Sequence, residues 1–295
     1  MDRHMDGWAH GGWPRGHTGD GMSARTTVPL AERQIFAMGG GGFTMEPANP
    51  LLDDYVLSLA KAKEPRILFL PTASGDTTPQ INAFKARFSG RTCVAEHLSL
   101  FRLRETRVPL KEMVLDQDIL YVGGGSMRNL LAIWRAHELD DMLVQAWQQG
   151  TVLAGLSAGA MCWFQAGLTR SSGPPEPLEG LGLLEGSLTV HADGEPERLP
   201  VWLSCLREGT MPGGWALDDG VGLLFRGYTL DRIVSSRPGA EAQRVDAIAG
   251  ELLRKRLQPE LLGGKISDPL GGYDDAVEEM RRVHRLRRGT GGRRM

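Results

Sequence analysis

Four short apolar runs, each halted by glycine or proline, set the narrowest limit on how this chain can fold. Gln34–Met38 (QIFAM) runs into Gly39–Gly42, and Arg66–Leu70 (RILFL) into Pro71. Asp118–Val122 (DILYV) runs into Gly123–Gly125, and Thr151–Gly155 (TVLAG) into Leu156–Ala160. Cys93–Leu98 is a weaker fifth. Such runs have no polar face, so as strands they must be covered on both sides, the condition of a strand inside a parallel sheet. Between them the apolar residues recur at helical spacing. Leu51–Lys63 has this pattern, and Ser126 opens Ser126–Ala136 as an N-cap, with Leu130, Leu131 and Trp134 on one face. Leu139–Gln149 follows and stops at Gly150. Strands alternating with helices predict an α/β fold built on an open, doubly wound and mostly parallel sheet. After residue 215 the pattern changes. Val221–Phe225 and Thr229–Val234 flank Arg226-Gly227-Tyr228, predicting a hairpin near residues 221–234 that closes one sheet edge.

The expected folded unit is a single α/β domain over residues 34–265. Residues 1–33 hold six glycines, the histidines His4, His10 and His17, and no apolar periodicity. They are expected to form a disordered extension, with Met22 as an alternative start. Residues 266–295 form a C-terminal extension with a basic tail, in which Arg281–Arg294 contains seven arginines and no acid. A frayed helix end with a solvated tail is expected there. The whole chain has 34 basic and 36 acidic residues, a net charge of −2, which excludes a strongly basic nucleic-acid binder for the core. No apolar run approaches the ~18 residues of a membrane span. The N-terminal region lacks the apolar segment of a secretory signal. The three cysteines, Cys93, Cys162 and Cys205, show no C-x-x-C spacing, so neither a disulfide scaffold nor a cysteine zinc site is expected. A cytoplasmic protein without membrane contact is the expectation, with a homodimer as the default oligomer.

In open α/β sheets, sites form at the carboxyl ends of strands. Three of those ends here are glycine-rich. The one with chemistry is Gly155-Leu156-Ser157-Ala158-Gly159, a Gly-x-Ser-x-Gly motif between a buried strand and a helix-compatible run. Such a serine sits at a strained strand-to-helix turn, so that its hydroxyl projects from the sheet, and small neighbours leave room for crossing backbone. The N–H of Ala158 is placed to stabilise a developing oxyanion. Gly123-Gly124-Gly125-Ser126 ends the preceding strand and is a candidate second oxyanion loop, with a substrate-backbone contact or a plain turn as alternatives. A phosphate cradle is disfavoured, because neither the P-loop nor the dinucleotide fingerprint is present. A serine nucleophile needs a base. His97 lies within a strand, His137 between two helices and His284 in the basic tail. His191 ends the apolar segment Gly186–Val190 and opens the polar loop Ala192-Asp193-Gly194-Glu195, which suits a base entering a site.

Tyr121–Ser126 (YVGGGS), Gly155–Ala160 (GLSAGA), Ser187–His191 (SLTVH) and Asp218-Asp219-Gly220 occur in that order. Together they resemble the serine peptidase family of dipeptidase E and cyanophycinase, over roughly residues 34–240. The resemblance implies a flavodoxin-like, class I glutamine amidotransferase-like fold, with serine in place of the amidotransferase cysteine. It implies hydrolysis of short peptides with an acidic, aspartyl residue on the N-terminal side, or of aspartate-backbone polymers. Ser157 matches the nucleophile, His191 the base, and Gly124 and Ala158 the oxyanion donors. For the third member Asp219 is the closest match. Thr169–Gly173, where dipeptidase E carries its acid, has none, and Asp218, Glu195, Ser171 and Ser172 stand behind Asp219. Gly125 and Arg198 are the expected substrate contacts, with Arg170 a further candidate cation. No metal and no organic cofactor are required. Two rival readings remain. In an α/β-hydrolase-type esterase or amidase the acid precedes a histidine far downstream, which His191 does not match. A catalytically inactive binding protein on the same scaffold would explain the missing acid near residues 170–172.

Overall fold

A computed structural model of the protein describes residues 25–248 and 250–263. The chain runs β1 (Gln34–Met38), α1 (Gly42–Met45), α2 (Leu51–Ser58), β2 (Arg66–Leu70), α3 (Thr78–Phe88), β3 (Val94–His97) and α4 (Leu110–Leu115). It continues β4 (Ile119–Val122), α5 (Met127–Ala136), α6 (Leu139–Gln148), β5 (Val152–Leu156), α7 (Ala158–Met161), β6 (Phe164–Thr169), β7 (Glu176–Glu179) and β8 (Leu184–Thr189). It ends α8 (Arg198–Glu208), β9 (Gly214–Leu217), β10 (Val221–Arg226), β11 (Thr229–Ser235), β12 (Ala242–Ile248), β13 (Glu251–Leu257) and β14 (Glu260–Leu261).

All five apolar runs are strands, and β1, β4 and β5 are buried at every residue. Among the described residues they form the parallel part of an eight-stranded sheet, ordered β14-β11-β10-β1-β5-β4-β2-β3. The β10–β11 hairpin adds to β1 antiparallel, as the change of pattern after residue 215 predicts. Ser126 caps α5, its side chain accepting the Asn129 N–H at 3.1 Å. The helix expected over Leu51–Lys63 is shorter and stops at Ser58. The side-chain amide of Gln34 takes the Leu59 carbonyl at 3.0 Å, and Pro65 keeps the preceding residue out of helical geometry.

A second sheet, ordered β13-β12-β9-β8-β6-β7, was not expected from the sequence. β6 (FQAGLT) and β8 (LEGSLT) interleave apolar residues with polar ones and glycine, so neither has the uninterrupted apolar character of the first sheet. Glycine permits close backbone approach there. A methyl group on Gly214 would lie 1.9 Å from the Ser187 carbonyl oxygen. One hydrophobic cluster runs through both sheets, joining Ile35 and Leu153 to Leu188, Trp215 and Ala242.

The N-terminal boundary needs correction. Residues 25–33, assigned to a disordered extension, are tied to the domain. Val28 N–H donates to the Gln148 carbonyl at 2.8 Å, and Arg25 donates to the Gln117 carbonyl at 2.8 Å. Arg33 then spans back to the Val28 carbonyl, and its own carbonyl accepts from Gly227 at 2.7 Å. The sequence missed this because the anchors are backbone groups and two arginines, without apolar periodicity. Residues 1–24 and the basic tail lie outside the described residues. No helix among the described residues is long and apolar enough to cross a membrane.

Behind the Gly39–Gly42 turn lies a buried polar group. Asp53 is fully buried, accepts the Tyr121 hydroxyl at 3.0 Å, and faces Arg87 Nε at 2.9 Å as an ion pair not aligned for a hydrogen bond. Arg87 also donates to the Glu46 and Pro47 carbonyls at 2.9 and 3.0 Å, holding the loop after α1. Burial pushes the Asp53 carboxyl up to about 6, against the opposing pull of Arg87 and Tyr121. The folded state therefore holds this proton more tightly than the unfolded chain. The contribution is full below about pH 4 and is lost as pH rises through about 6. Asp53→Asn removes the titration, so the wild-type minus variant stability should fall by on the order of 3 kcal/mol between pH 4 and pH 7. Denaturant unfolding of both proteins at the two pH values measures that difference.

Candidate active site

The Gly-x-Ser-x-Gly turn joins β5 to α7. Ser157 stands there at φ 54° and ψ −116°, a left-handed conformation unusual for a residue with a side chain. Its own N–H donates to the Met38 carbonyl at 3.0 Å, so β1 fixes the turn from the side. The flanking glycines are required by contact. A methyl group on Gly155 would lie 2.0 Å from the Gly159 carbonyl oxygen, and one on Gly159 would lie 2.5 Å from that of Val122. No side chain of any size fits at either position.

His191 follows β8 and also has positive φ, at 55°. Its Nε2 lies 2.9 Å from Ser157 Oγ, and its Nδ1 lies 2.5 Å from Asp219 Oδ1. In the tautomer with its proton on Nδ1, the ring donates to Asp219 and leaves Nε2 to accept from the serine hydroxyl. Asp219, 8% exposed, comes from the turn between β9 and β10. Three separate segments thus place serine, imidazole and carboxylate in one line. Asp218 turns away. Its carboxylate accepts the Glu241 N–H at 2.8 Å, and burial raises its pKa.

Gly124 borders the serine closely, since a methyl group there would lie 3.2 Å from Ser157 Cβ. Gly125, with φ 141°, is exposed and leaves no room for a side chain against the Ala73 carbonyl oxygen, 2.2 Å from where one would begin. Ala158 opens α7, where a first-turn N–H has no intrahelical partner. Both loops therefore bring backbone to Ser157, as their positions at the strand ends predict.

Arg198 faces inward, away from any substrate. Expected to contact substrate, it is only 4% exposed and fully engaged inside the protein. It donates to the Leu168 carbonyl at 2.5 Å and to Glu195 at 3.0 Å, acting as a brace between α8 and β6. Its place at the start of α8 turns it inward, which loop composition does not reveal. Arg170 is more open and pairs with Glu195 at 3.2 Å and Glu197 at 2.8 Å. Burial alone would raise the Glu195 pKa, but the two arginines outweigh it and hold the group below the usual range. Glu195 therefore serves these arginines and makes no contact with His191 Nδ1. Ser171 does not approach His191 either. It bonds Thr169 Oγ1 at 2.7 Å and accepts the Arg128 N–H at 3.2 Å. Ser172 hydrogen-bonds the Glu176 carboxylate instead. Among the described residues no group of three or more His, Cys, Asp or Glu side chains is placed to hold a metal ion.

Sequence reasoning missed Gly40. A methyl group there would lie 2.0 Å from Asp219 Oδ1 and 2.9 Å from His191 Cε1, so bare backbone of the Gly39–Gly42 turn packs onto the imidazole–carboxylate pair. The glycine run at a strand end was the available signal, but nothing in it shows which residues it will meet.

The model of Peptidase family S51 matches residues 35–233, a span holding Ser157, His191 and Asp219. The chain is 46% identical over 231 residues to the uncharacterized peptidase YgaJ of Bacillus subtilis (strain 168), covering 78% of this chain and all of that one. A shorter stretch of 94 residues is 34% identical to the imidazole glycerol phosphate synthase subunit HisH of Geobacillus thermodenitrificans (strain NG80-2), covering 30% of this chain and 42% of that one. In fold, the chain is similar to the crystal structure of a peptidase from an acI-B1 Actinobacterium, with a TM-score of 0.57 at 19% identity, covering 80% of this chain and 96% of that one. Fold and relatives together define a hydrolase of the peptidase class. The chain belongs to peptidase family S51.

Gly40→Ala should displace the Asp219 carboxylate while leaving both sheets in place. Its kcat for peptide hydrolysis should fall by about 10²- to 10⁴-fold, the range for disabling a general acid–base group. Steady-state kinetics beside a circular dichroism spectrum check both halves of that statement.

Proposed function

We propose that this peptidase is a serine exopeptidase that cleaves short peptides through an acyl-enzyme on Ser157. The observation that carries the reading is the continuous line from Ser157 Oγ through His191 to Asp219, at 2.9 and 2.5 Å. In this reading His191 Nε2 takes the Ser157 proton as Oγ attacks the scissile carbonyl. The N–H groups of Gly124 and Ala158 hold the oxyanion. His191 then protonates the leaving amine, and water, activated by the same imidazole, hydrolyses the ester. Asp219 keeps the imidazole in the required tautomer and stabilises its charged form. Exposed Gly125 offers its backbone to the substrate chain.

Preference for an acidic residue on the N-terminal side is part of the proposal. Arg170 supports it better than Arg198, because its guanidinium is partly open and already bound to carboxylates. A substrate carboxylate would take the place of Glu197, the more exposed of the two partners. A reducing, cytoplasmic setting is also part of the reading, supported by Cys93, Cys162 and Cys205, all free.

The test is a panel of Asp-Xaa, Glu-Xaa and neutral dipeptides with isoaspartyl peptides, run on wild type and Ser157→Ala. Hydrolysis by wild type should fall by at least about 10³-fold in the variant. A fluorophosphonate should label wild type and not Ser157→Ala. Equal hydrolysis by the two proteins would remove the serine mechanism. Equal rates on neutral and acidic dipeptides would remove the acidic preference alone.

A further inference from the structure

We infer that Asp193 is a positioning residue that fixes the backbone of Asp219 beneath His191, with Arg237 holding Asp193 in place. The inference rests on the proposed role of the Ser157–His191–Asp219 line. It concerns residues on which neither that reading nor the family match depends.

His191 occupies a left-handed backbone conformation, at φ 55°. A residue held there persists only where its surroundings over-determine it. The turn that follows supplies part of that constraint, since the N–H groups of Gly194 and Glu195 both donate to the His191 carbonyl, at 3.2 and 2.8 Å. Asp193 lies inside this turn and points out of it, toward the segment that carries the carboxylate. Its Oδ1 accepts the backbone N–H of Asp219 at 2.9 Å. The imidazole and its partner are thereby tied twice, once between side chains and once from the histidine's own loop to the aspartate's backbone. Gly194 completes the fit, because its missing side chain would begin 3.3 Å from Asp219 Oδ2.

Asp193 is itself held from a third segment. Arg237 Nη2 donates to its Oδ2 at 2.7 Å. The arginine's stem crosses Gly220, where a methyl group would lie 2.9 Å from Arg237 Cδ. Arg237 N–H donates to Ser235 Oγ at 3.0 Å, which in turn donates to the Arg237 carbonyl at 2.8 Å, so the backbone bearing the guanidinium is fixed at the end of β11. Glu46, 3.9 Å from Arg237 Nε, faces the other side of the guanidinium.

Magnitudes separate two roles for this pair. Asp193 and Arg237 are 30% and 40% exposed in their side chains, so as a surface ion pair they contribute little to stability. A stabilising role alone predicts small changes in thermal stability and an unchanged turnover. A positioning role predicts a loss of turnover larger than the loss of stability, because misplacing a reacting pair by about 1 Å costs up to about 10²-fold in rate. It also predicts rescue by asparagine, whose side-chain carbonyl accepts the Asp219 N–H as the carboxylate does.

The experiment measures kcat and KM on the best substrate of the dipeptide panel for wild type, Asp193→Ala, Asp193→Asn, Arg237→Gln and the Asp193→Ala/Arg237→Gln double variant. Thermal unfolding is recorded for each. Asp193→Ala should lower kcat about 10- to 100-fold with KM within about twofold, and Asp193→Asn should stay within about fivefold of wild-type kcat. Arg237→Gln should lower kcat by a few-fold, and the double variant should be no slower than Asp193→Ala. Wild-type kcat in Asp193→Ala overturns the inference, as does an equal loss in Asp193→Asn and Asp193→Ala. Should Asp193→Ala fail to fold, Arg237→Gln decides, and an unchanged kcat there counts against the inference. Ser157→Ala serves as control. Hydrolysis surviving in it would sink the serine mechanism itself, an outcome distinct from all of these.

Discussion

The left-handed backbone of Ser157 is the constraint on which the rest of this structure turns. A serine at φ 54° needs backbone packed against it on every side, and the fold supplies it. β1 accepts the serine N–H through Met38, β4 passes close enough to require glycine at 159, and α7 starts at once. Strand order follows from the same demand. Only with β5 between β1 and β4 do two further glycine-rich strand ends flank the serine, and this is the order observed.

The second sheet has a different task. β8 and β9 lie side by side and parallel, and the connections leaving them carry His191 and Asp219. The strand after Asp219, β10, belongs to the first sheet and pairs with β1. Asp219 therefore sits where the chain crosses from one sheet to the other. Gly40 of β1's trailing turn lies against it on the near side, with no side chain between. The geometry of the imidazole–carboxylate pair is thus a property of how the two sheets are joined, and the shared hydrophobic cluster keeps that join rigid.

Much of the first sheet was legible in the sequence, because buried parallel strands leave an unmistakable apolar run ended by glycine or proline. Ser157 and His191 were legible for a related reason, since a motif and a strand end fixed their places. Asp219 was weaker, one of several acids in turns, and only three-dimensional proximity separates it from Asp218. The second sheet escaped because its strands interleave apolar with polar residues and glycine and draw their burial from the partner sheet on one side and α8 on the other. Arg198 misled because a cation in a polar loop looks exposed until the helix it begins turns it inward. Gly40 and Asp193 act through contacts across the chain, to which no local pattern points.

The two-sheet construction also bears on when the Ser157–His191–Asp219 arrangement comes together. Met38 and Gly40 lie near the start of the described chain, Ser157 in its middle and Asp219 toward its end. The pairings that bring them together, β1 with β5 and β1 with β10, are among its most non-local. Contacts of this kind close late in folding, because the loop entropy must be overcome first. A chain emerging from synthesis carries its serine without a neighbouring imidazole, and the imidazole without its carboxylate. The serine therefore gains its neighbours only once the fold is closed.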